Sequence, residues 1–429
     1  MTLTNPTAAA ALAAAEARFA LNNPLSKSQH DLAVSSLPGG NTRTVLHTSP
    51  FPLTMKRGKG AHVWDLDGRK YLDLAGELSA GLYGHSNPLI RSTIISTLDS
   101  TGLSLGSTTV HEERFAALLC RRFRLDRVRM TNSGTEANLH ALAGARAFTR
   151  RKKVVVFGGG YHGGVLSFPG EEAAGNTVDK GDFVVVPEYG DLSPARAAIE
   201  GAGEELAAVL VEGMQGAAGC RVGSAEFLKG VQEAAKKVGG LLILDEVMTS
   251  RLAPGGLGVE LGLEPDLVTM GKYLGGGLAF GCFGGREEVM SVYDPRRAGR
   301  SLGHSGTFNN NTLVMTVGFE ALRAVYTEEV CRKFNLRGDR LRQRLEGLGR
   351  GTMLSATGRG SLMTLHFTEG GKERADLRDL FWFEMLEEGF WITRRGMIAL
   401  VLETTDEELD GFVEAVGSFL ERHKGIVAL

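Results

Sequence analysis

The alternation of apolar and polar positions changes character three times along the chain. Residues 53–74 alternate and contain Asp67-Gly68, a dipeptide favoured in tight hairpins, so they predict a small antiparallel element. From about Gly76 onward, short uninterrupted apolar runs at 128–130, 153–157, 182–187, 207–211, 241–244, 266–270 and 280–283 are separated by helical patterns. A strand that is apolar at every position needs cover on both faces. The pattern therefore predicts an α/β domain with a mostly parallel central sheet between helices, and the run at 280–283 is compatible with an antiparallel hairpin. Beyond Asn309 come a long helix to Val325, a charged helix over 330–348, strands near 361–367 and 397–402, and a last helix. That helix opens on the capping box Thr405-Asp406-Glu407-Glu408 and carries Leu409, Phe412, Val413, Val416 and Phe419 on one stripe. The pattern divides the chain into an N-terminal segment, 1–75, a large domain over 76–318 and a smaller α+β domain over 319–429. The alanine-rich start, residues 1–20, has no basic region before its apolar stretch and reads as a surface helix rather than a signal peptide.

Composition narrows the function classes. Lys and Arg number 48 against 50 Asp and Glu, with no long block of either sign, which argues against a nucleic-acid or membrane-surface protein. No window of eighteen uninterrupted apolar residues exists, which excludes a membrane-spanning helix. The four cysteines, Cys120, Cys220, Cys282 and Cys331, show neither CxxC spacing nor a histidine cluster, so no metal site or disulfide framework is expected and a reducing, cytoplasmic setting is. Glycine is the outlier: 58 of 429 residues is nearly double the usual ~7 %. Proline is not raised with it, so the surplus points to close backbone approach and not to disorder.

Four constellations could carry chemistry. Asn132-Ser133-Gly134-Thr135-Glu136 follows an apolar run and opens a helix with Leu139, Leu142 and Ala145 on one face; free amides, a glycine and two hydroxyls there make a phosphate cup. An ordinary serine N-cap reads the same way. Gly158-Gly159-Gly160-Tyr161-His162-Gly163-Gly164 contains a literal GxGxxG. No uninterrupted helix follows it, and Asp182 precedes its strand instead of ending it, so a dinucleotide fingerprint is disfavoured; a glycine-flanked Tyr161-His162 suits a flat ring instead. Residues 241–247 form an apolar strand ending in Asp245 and Glu246, where an acid faces either a ligand or a salt bridge. Lys272 leaves another apolar run and is followed by Gly275-Gly276-Gly277; desolvation there would make its amine a better nucleophile, and the spacing excludes a Walker A loop.

Phosphate cup, ring-stacking aromatic, carboxylate for a ring nitrogen and nucleophilic lysine are the four needs of pyridoxal phosphate. The sequence resembles the class III aminotransferases of pyridoxal-phosphate fold type I over nearly its whole length. The resemblance runs from Val63-Trp64-Asp65-Leu66-Asp67-Gly68 and Tyr83-Gly84-His85-Ser86-Asn87-Pro88, through the NSGTEAN, YHG, DEV and GK motifs, to His304-Ser305-Gly306-Thr307-Phe308. It implies that Lys272 joins the cofactor's aldehyde and moves the substrate proton, and that Asp245 keeps the pyridine nitrogen protonated. Ser133, Gly134 and Thr135 would hold the phosphate with Thr307 of a neighbouring subunit, Tyr161 and Val247 would enclose the ring with His162 beside it, and Glu212 and Gln215 would line its far side. Gly213 stands where relatives carry proline, which weakens the Glu212 assignment. A homodimer with sites at its interface, a small-molecule amino donor, a 2-oxo acid acceptor and a small domain to which the N-terminal segment, 1–75, contributes are implied as well.

Within the family, residues 37–46, 51–54, 247–254 and 305–311 look like the β-phenylalanine aminotransferases. The stretch 165–182 is too short to look like the long glycine-rich gating loop of the glutamate-1-semialdehyde 2,1-aminomutases. The first likeness implies Arg43 as the grip on a donor carboxylate, Tyr83 as a substrate contact, and Arg395, or its neighbour Arg394, as the grip on the acceptor. Arg394 replaces a proline, and Leu78 and Ala80 make a less aromatic wall than a phenyl pocket suggests. An aminomutase or an ω-amine transaminase stays open as the alternative.

Overall fold

The computed structural model describes residues 7–169, 180–297, 299 and 301–429. It contains two compact units, Met1–Asn87 with Leu336–Leu429, and Pro88–Asn335. The sequence pattern places these boundaries at 75/76 and 318/319. The second falls later because the helix Thr312–Glu320 packs on the helices Pro88–Ser100 and Val110–Phe123, and the first because the Ala399 and Leu402 amides donate to the Leu74 and Leu82 carbonyls, both at 2.8 Å.

The described chain opens on the helix Ala8–Asn22, which turns Phe19 into an aromatic cluster with Phe51, Trp382 and Phe383. Strands β1 (Met55–Lys59), β2 (His62–Asp65) and β3 (Lys70–Asp73) pair antiparallel, as the alternation predicts. A tight turn follows at 76–79, where Gly76, Glu77, Leu78 and Ser79 all have left-handed backbone, with φ of 50°, 48°, 52° and 81°. Such backbone costs an L residue roughly 1–2 kcal/mol and is normally visited singly. Two contacts hold it here: Asp73 Oδ1 accepts from the amides of Ala75 and Gly76 at 3.0 and 2.9 Å, and any Cβ on Gly76 would strike the carbonyl of Ala399.

The second unit carries β4 (Arg127–Thr131), β5 (Lys153–Phe157), β6 (Phe183–Val186), β7 (Leu206–Glu212), the short pair β8 (Met214–Gln215) and β9 (Arg221–Val222), then β10 (Leu241–Asp245), β11 (Leu267–Gly271) and β12 (Gly281–Gly285). Seven of them form one sheet in the order β4-β12-β11-β10-β7-β5-β6. Only β12 runs against its neighbours. Every residue of β7, β10 and β11 is buried, which explains their uninterrupted apolar runs. Ala137, Ala141, Leu142 and Ala145 of the helix Gly134–Thr149 cover one face over Val154, Val156, Leu210 and Ile243. The helices Leu192–Ala202 and Ala225–Lys237 cover the other over Val155, Val209 and Leu242. Residues 170–179, most of the stretch judged too short for a gating loop, lie outside the described residues.

The remaining chain adds β13 (Leu354–Arg359), β14 (Leu362–Glu369), β15 (Lys372–Glu373), β16 (Phe390–Trp391) and β17 (Met397–Ala399). Strand β14 pairs with β13, β15 and β17, and β16 extends the N-terminal sheet by pairing in parallel with β3. N- and C-terminal segments thus share the smaller unit. The last helix, Asp406–Arg422, starts on the expected capping box: Thr405 Oγ1 accepts from the Glu408 amide at 3.2 Å, and Glu408 Oε2 from the Thr405 amide at 2.7 Å.

Candidate active site

Register gathers the candidate residues of the larger unit. Asp245 pairs with Glu212 on one side and with Thr269 on the other; Gly271 pairs with Gly281, and Gly281 with Thr131. The carboxyl ends of β4, β7, β10 and β11 therefore share one edge of the sheet, the edge where open α/β sheets place their ligands. Asn132-Ser133, Glu212, Asp245 and Lys272 all stand there.

Ser133 caps the helix Gly134–Thr149, its Oγ accepting from the Glu136 amide at 3.2 Å. The cap takes only one of the four unpaired first-turn amides, and the helix dipole adds positive character at this end. A Cβ on Gly134 would lie 2.8 Å from the Val247 side chain, and one on Gly163 would collide with Thr135, so the two glycines leave a cradle that larger residues would fill. Gly271 closes the opposite side, its Cβ position 3.6 Å from the Gly134 nitrogen. Lys272 follows at φ 53°, a left-handed conformation in a non-glycine residue.

Three donors converge on buried Asp245. The Val247 amide reaches Oδ1 at 2.9 Å, while Asn138 Nδ2 at 2.8 Å and His162 Nδ1 at 2.7 Å reach Oδ2. Asn138 is itself fixed, accepting from Thr269 Oγ1 at 2.7 Å and donating to the His162 carbonyl at 3.0 Å. Burial lowers the pKa of His162, but the hydrogen bond and charge of Asp245, with Glu212, outweigh it and the net direction is upward. An imidazole donor so placed stabilises Asp245 as an acceptor. Glu246, the next residue, serves the framework: its carboxylate accepts from the amides of Leu257 and Gly258 at 2.9 and 2.7 Å and from Thr249 Oγ1 at 3.1 Å. The two acids that end the strand are thereby told apart.

Glu212 accepts from the amides of Tyr161 and Gly216 at 3.0 and 3.1 Å, and burial pushes its carboxyl upward. Gln215 Nε2 donates to the Gly158 carbonyl at 3.0 Å. These contacts anchor the loop that presents Tyr161, whose ring is half exposed. Thr307 and Phe308 are exposed in a turn that Asn309 ties to Asn132 at 3.0 Å.

The other candidates belong to the smaller unit. Arg43 pairs with Glu77, and Tyr83 is buried. Arg395 Nη2 lies 3.5 Å from the Met397 sulfur. Arg394 is committed to packing: it donates to the Ser49 carbonyl at 2.6 Å and to Asp379 at 2.8 Å, and stacks over Trp382 and Phe383. Sequence reasoning included Asn138 only as the last letter of NSGTEAN, with no role, and gave none to Thr269. The available signal was a polar residue on the buried stripe of a helix and another inside an apolar strand.

An acidic partner for a ring nitrogen, helix-terminal amides for a phosphate, an exposed tyrosine for a flat ring and a lysine at the same sheet edge fit pyridoxal phosphate, and the glycine cradle leaves room for it. These features define a pyridoxal-phosphate enzyme of fold type I. The family model for aminotransferase class-III matches residues 45–420. The β-phenylalanine transaminase of Variovorax paradoxus is 47 % identical over 97 % of each chain, and its crystal structure superposes with a TM-score of 0.94, covering 97 % of this chain and 98 % of that one. A glutamate-1-semialdehyde 2,1-aminomutase of Thermus thermophilus is 35 % identical over 93 % of this chain and 99 % of its own. A transaminase with pyridoxal phosphate bound, 28 % identical, covers 94 % of this chain and 99 % of its own at a TM-score of 0.87. The chain belongs to the class III aminotransferases and uses pyridoxal phosphate.

Proposed function

We propose that the protein moves the amino group of a β-amino acid, aromatic and similar to β-phenylalanine, to a 2-oxo acid such as 2-oxoglutarate, in two half-reactions. The observation that carries this reading is the 47 % identity to a β-phenylalanine transaminase along 97 % of both chains, which spans the Arg43 segment as well as the cofactor motifs. When bound, the cofactor supplies a protonated ring that accepts the electrons left on the substrate carbon. Asp245, held by Asn138, His162 and the Val247 amide, keeps that ring nitrogen protonated. Ser133, Gly134 and Thr135 bind the phosphate, and Tyr161 and Val247 enclose the ring. Glu212 and Gln215 support it from behind. Lys272 anchors the aldehyde and carries the proton to and from the substrate carbon. Arg43 holds the donor carboxylate beside Tyr83, and Arg395 holds the acceptor's. The working form is a homodimer in which Thr307 reaches the neighbouring subunit's phosphate.

The test is a single half-reaction of the cofactor-loaded protein. With 3-amino-3-phenylpropanoate, the visible absorbance of the lysine-bound cofactor is expected to disappear as the cofactor takes up the amino group, and Lys272→Ala to lose both that band and turnover. Failure of the β-amino acid, with turnover of glutamate 1-semialdehyde, reassigns the protein to the aminomutases. Reaction with simple amines alone reassigns it to the ω-amine transaminases.

A further inference from the structure

Arg43 already holds a carboxylate. Its Nη1 donates to Glu77 Oε1, and both side chains are about half exposed, at 46 % and 54 %. Glu77 reaches that position from a turn that is left-handed through four successive residues, only the first of them glycine. Relaxed backbone at 77–79 would carry the carboxylate elsewhere. The turn is fixed from below by the Asp73 carboxylate on two amides, by the Leu78 amide donating to the Ala75 carbonyl at 3.0 Å, and by Gly76 seated against Ala399. Buried Ser79, with none of its surface exposed, locks its far end. Strain kept by several independent contacts is characteristic of places where a side chain must be aimed.

Building on the reading of Arg43 as the donor-carboxylate grip, we infer that Glu77 is an internal competitor for it. In the absence of substrate, Glu77 occupies the guanidinium; a donor that carries its own carboxylate displaces it, and one without a carboxylate does not. Nothing covalent changes, and one ion pair is exchanged for another. The energetics suit such an exchange. An exposed pair shifts an equilibrium by no more than about fivefold, so a substrate that is also held elsewhere in the site wins the contest, while a stray carboxylate gains little from Arg43. Two-point engagement of the guanidinium fork favours the substrate further, since Glu77 is recorded on a single nitrogen. Glu77 thereby acts as a specificity-determining residue that sets how strongly the donor carboxylate is felt in KM.

The experiment compares 3-amino-3-phenylpropanoate with 1-phenylethylamine, which presents the same aromatic amine without the carboxylate, using cofactor-loaded wild type, Glu77→Gln, Arg43→Gln and the double variant. Glu77→Gln is expected to raise the ratio of kcat/KM for the acid over the amine by about two- to fivefold, through a lower KM for the acid. In the Arg43→Gln background the same change is expected to do nothing. An unchanged or lowered ratio in Glu77→Gln, or an equal effect with and without Arg43, overturns the proposal. A purely structural role would shift the melting temperature and kcat for both donors alike. If Glu77→Gln folds poorly, Glu77→Asp, which keeps the charge but shortens the reach, is expected to raise the ratio in the same direction, and a fall would count against competition. A ratio insensitive to Arg43→Gln itself overturns the Arg43 assignment, an outcome distinct from a failure of Glu77 alone.

Discussion

At the scale of the residue, Asn138, the last residue of the NSGTEAN motif, is the most informative side chain that motif reading leaves without a role. It touches Asp245, His162 and Thr269 at once, so it fixes the orientation of the acid proposed to face the ring nitrogen. A hydrogen bond to a charged group contributes ~1.5–3 kcal/mol. Asn138→Ala is therefore expected to lower kcat roughly 10- to 100-fold with little change in fold, measured by steady-state rates alongside the amount of cofactor retained. Unchanged kcat with full occupancy would show that Asp245 needs no such help. The placement of Lys272 and Asp245 was legible because each stands where an apolar strand ends, and polarity at such a place is conspicuous. Asn138 and Thr269 lie inside buried elements, where a polar residue reads as noise until its partners, distant in sequence, are known. Arg394 and Arg395 are adjacent in sequence, and only the packing of Arg394 against Asp379 and two aromatic rings separates them.

At the scale of the element, the apolar runs forecast the central strands closely, since a strand buried on both faces has no freedom to alternate. Two of the elements that escaped the same reasoning show why. The helix Ala375–Glu387 buries Leu377, Leu380, Phe381, Trp382, Phe383 and Met385, so it is apolar around most of its circumference and shows no periodicity to detect. The strand β13 is largely half-buried, and its short mixed run resembles a loop. Strand β3 offers a pH-dependent test. His85 Nε2 lies 2.9 Å from Asp73 Oδ2, and that hydrogen bond raises the pKa of His85 against the opposing effect of burial. A histidine with a folded-state value above its ordinary ~6.5 stabilises the fold fully below that pH, and the contribution fades as pH rises through the raised value. Wild type is therefore expected to melt above His85→Asn by a margin that is widest in mild acid and shrinks toward alkaline pH. A margin that grows with pH would contradict this pairing.

At the scale of the whole molecule, neither the joining of the chain's two ends in one unit nor the assembly follows from local pattern. The smaller unit is built from both ends of the chain, joined where β16 pairs with β3, and sequence periodicity carries no information about which distant strands meet. The expected homodimer makes a quantitative prediction. If Thr307 serves the neighbouring subunit's phosphate, Lys272→Ala and Thr307→Glu chains, each inactive alone, should complement when mixed, because one site of every mixed dimer receives both intact residues. Random reassociation then restores about a quarter of the wild-type sites. Should Thr307 act within its own chain, mixing restores nothing.

Lys272 stands at φ 53°, in backbone that its own Cβ disfavours. The residue proposed to react is thus a burden on folding that the surrounding sheet and helix bear, a local instance of stability given up for activity. Its removal should show this directly. Lys272→Gly is expected to outlast Lys272→Ala in thermal denaturation by the equivalent of roughly 1 kcal/mol, with both expected to be inactive. The glycine chain would then be the more robust scaffold for trapping a loaded, unreacted substrate complex.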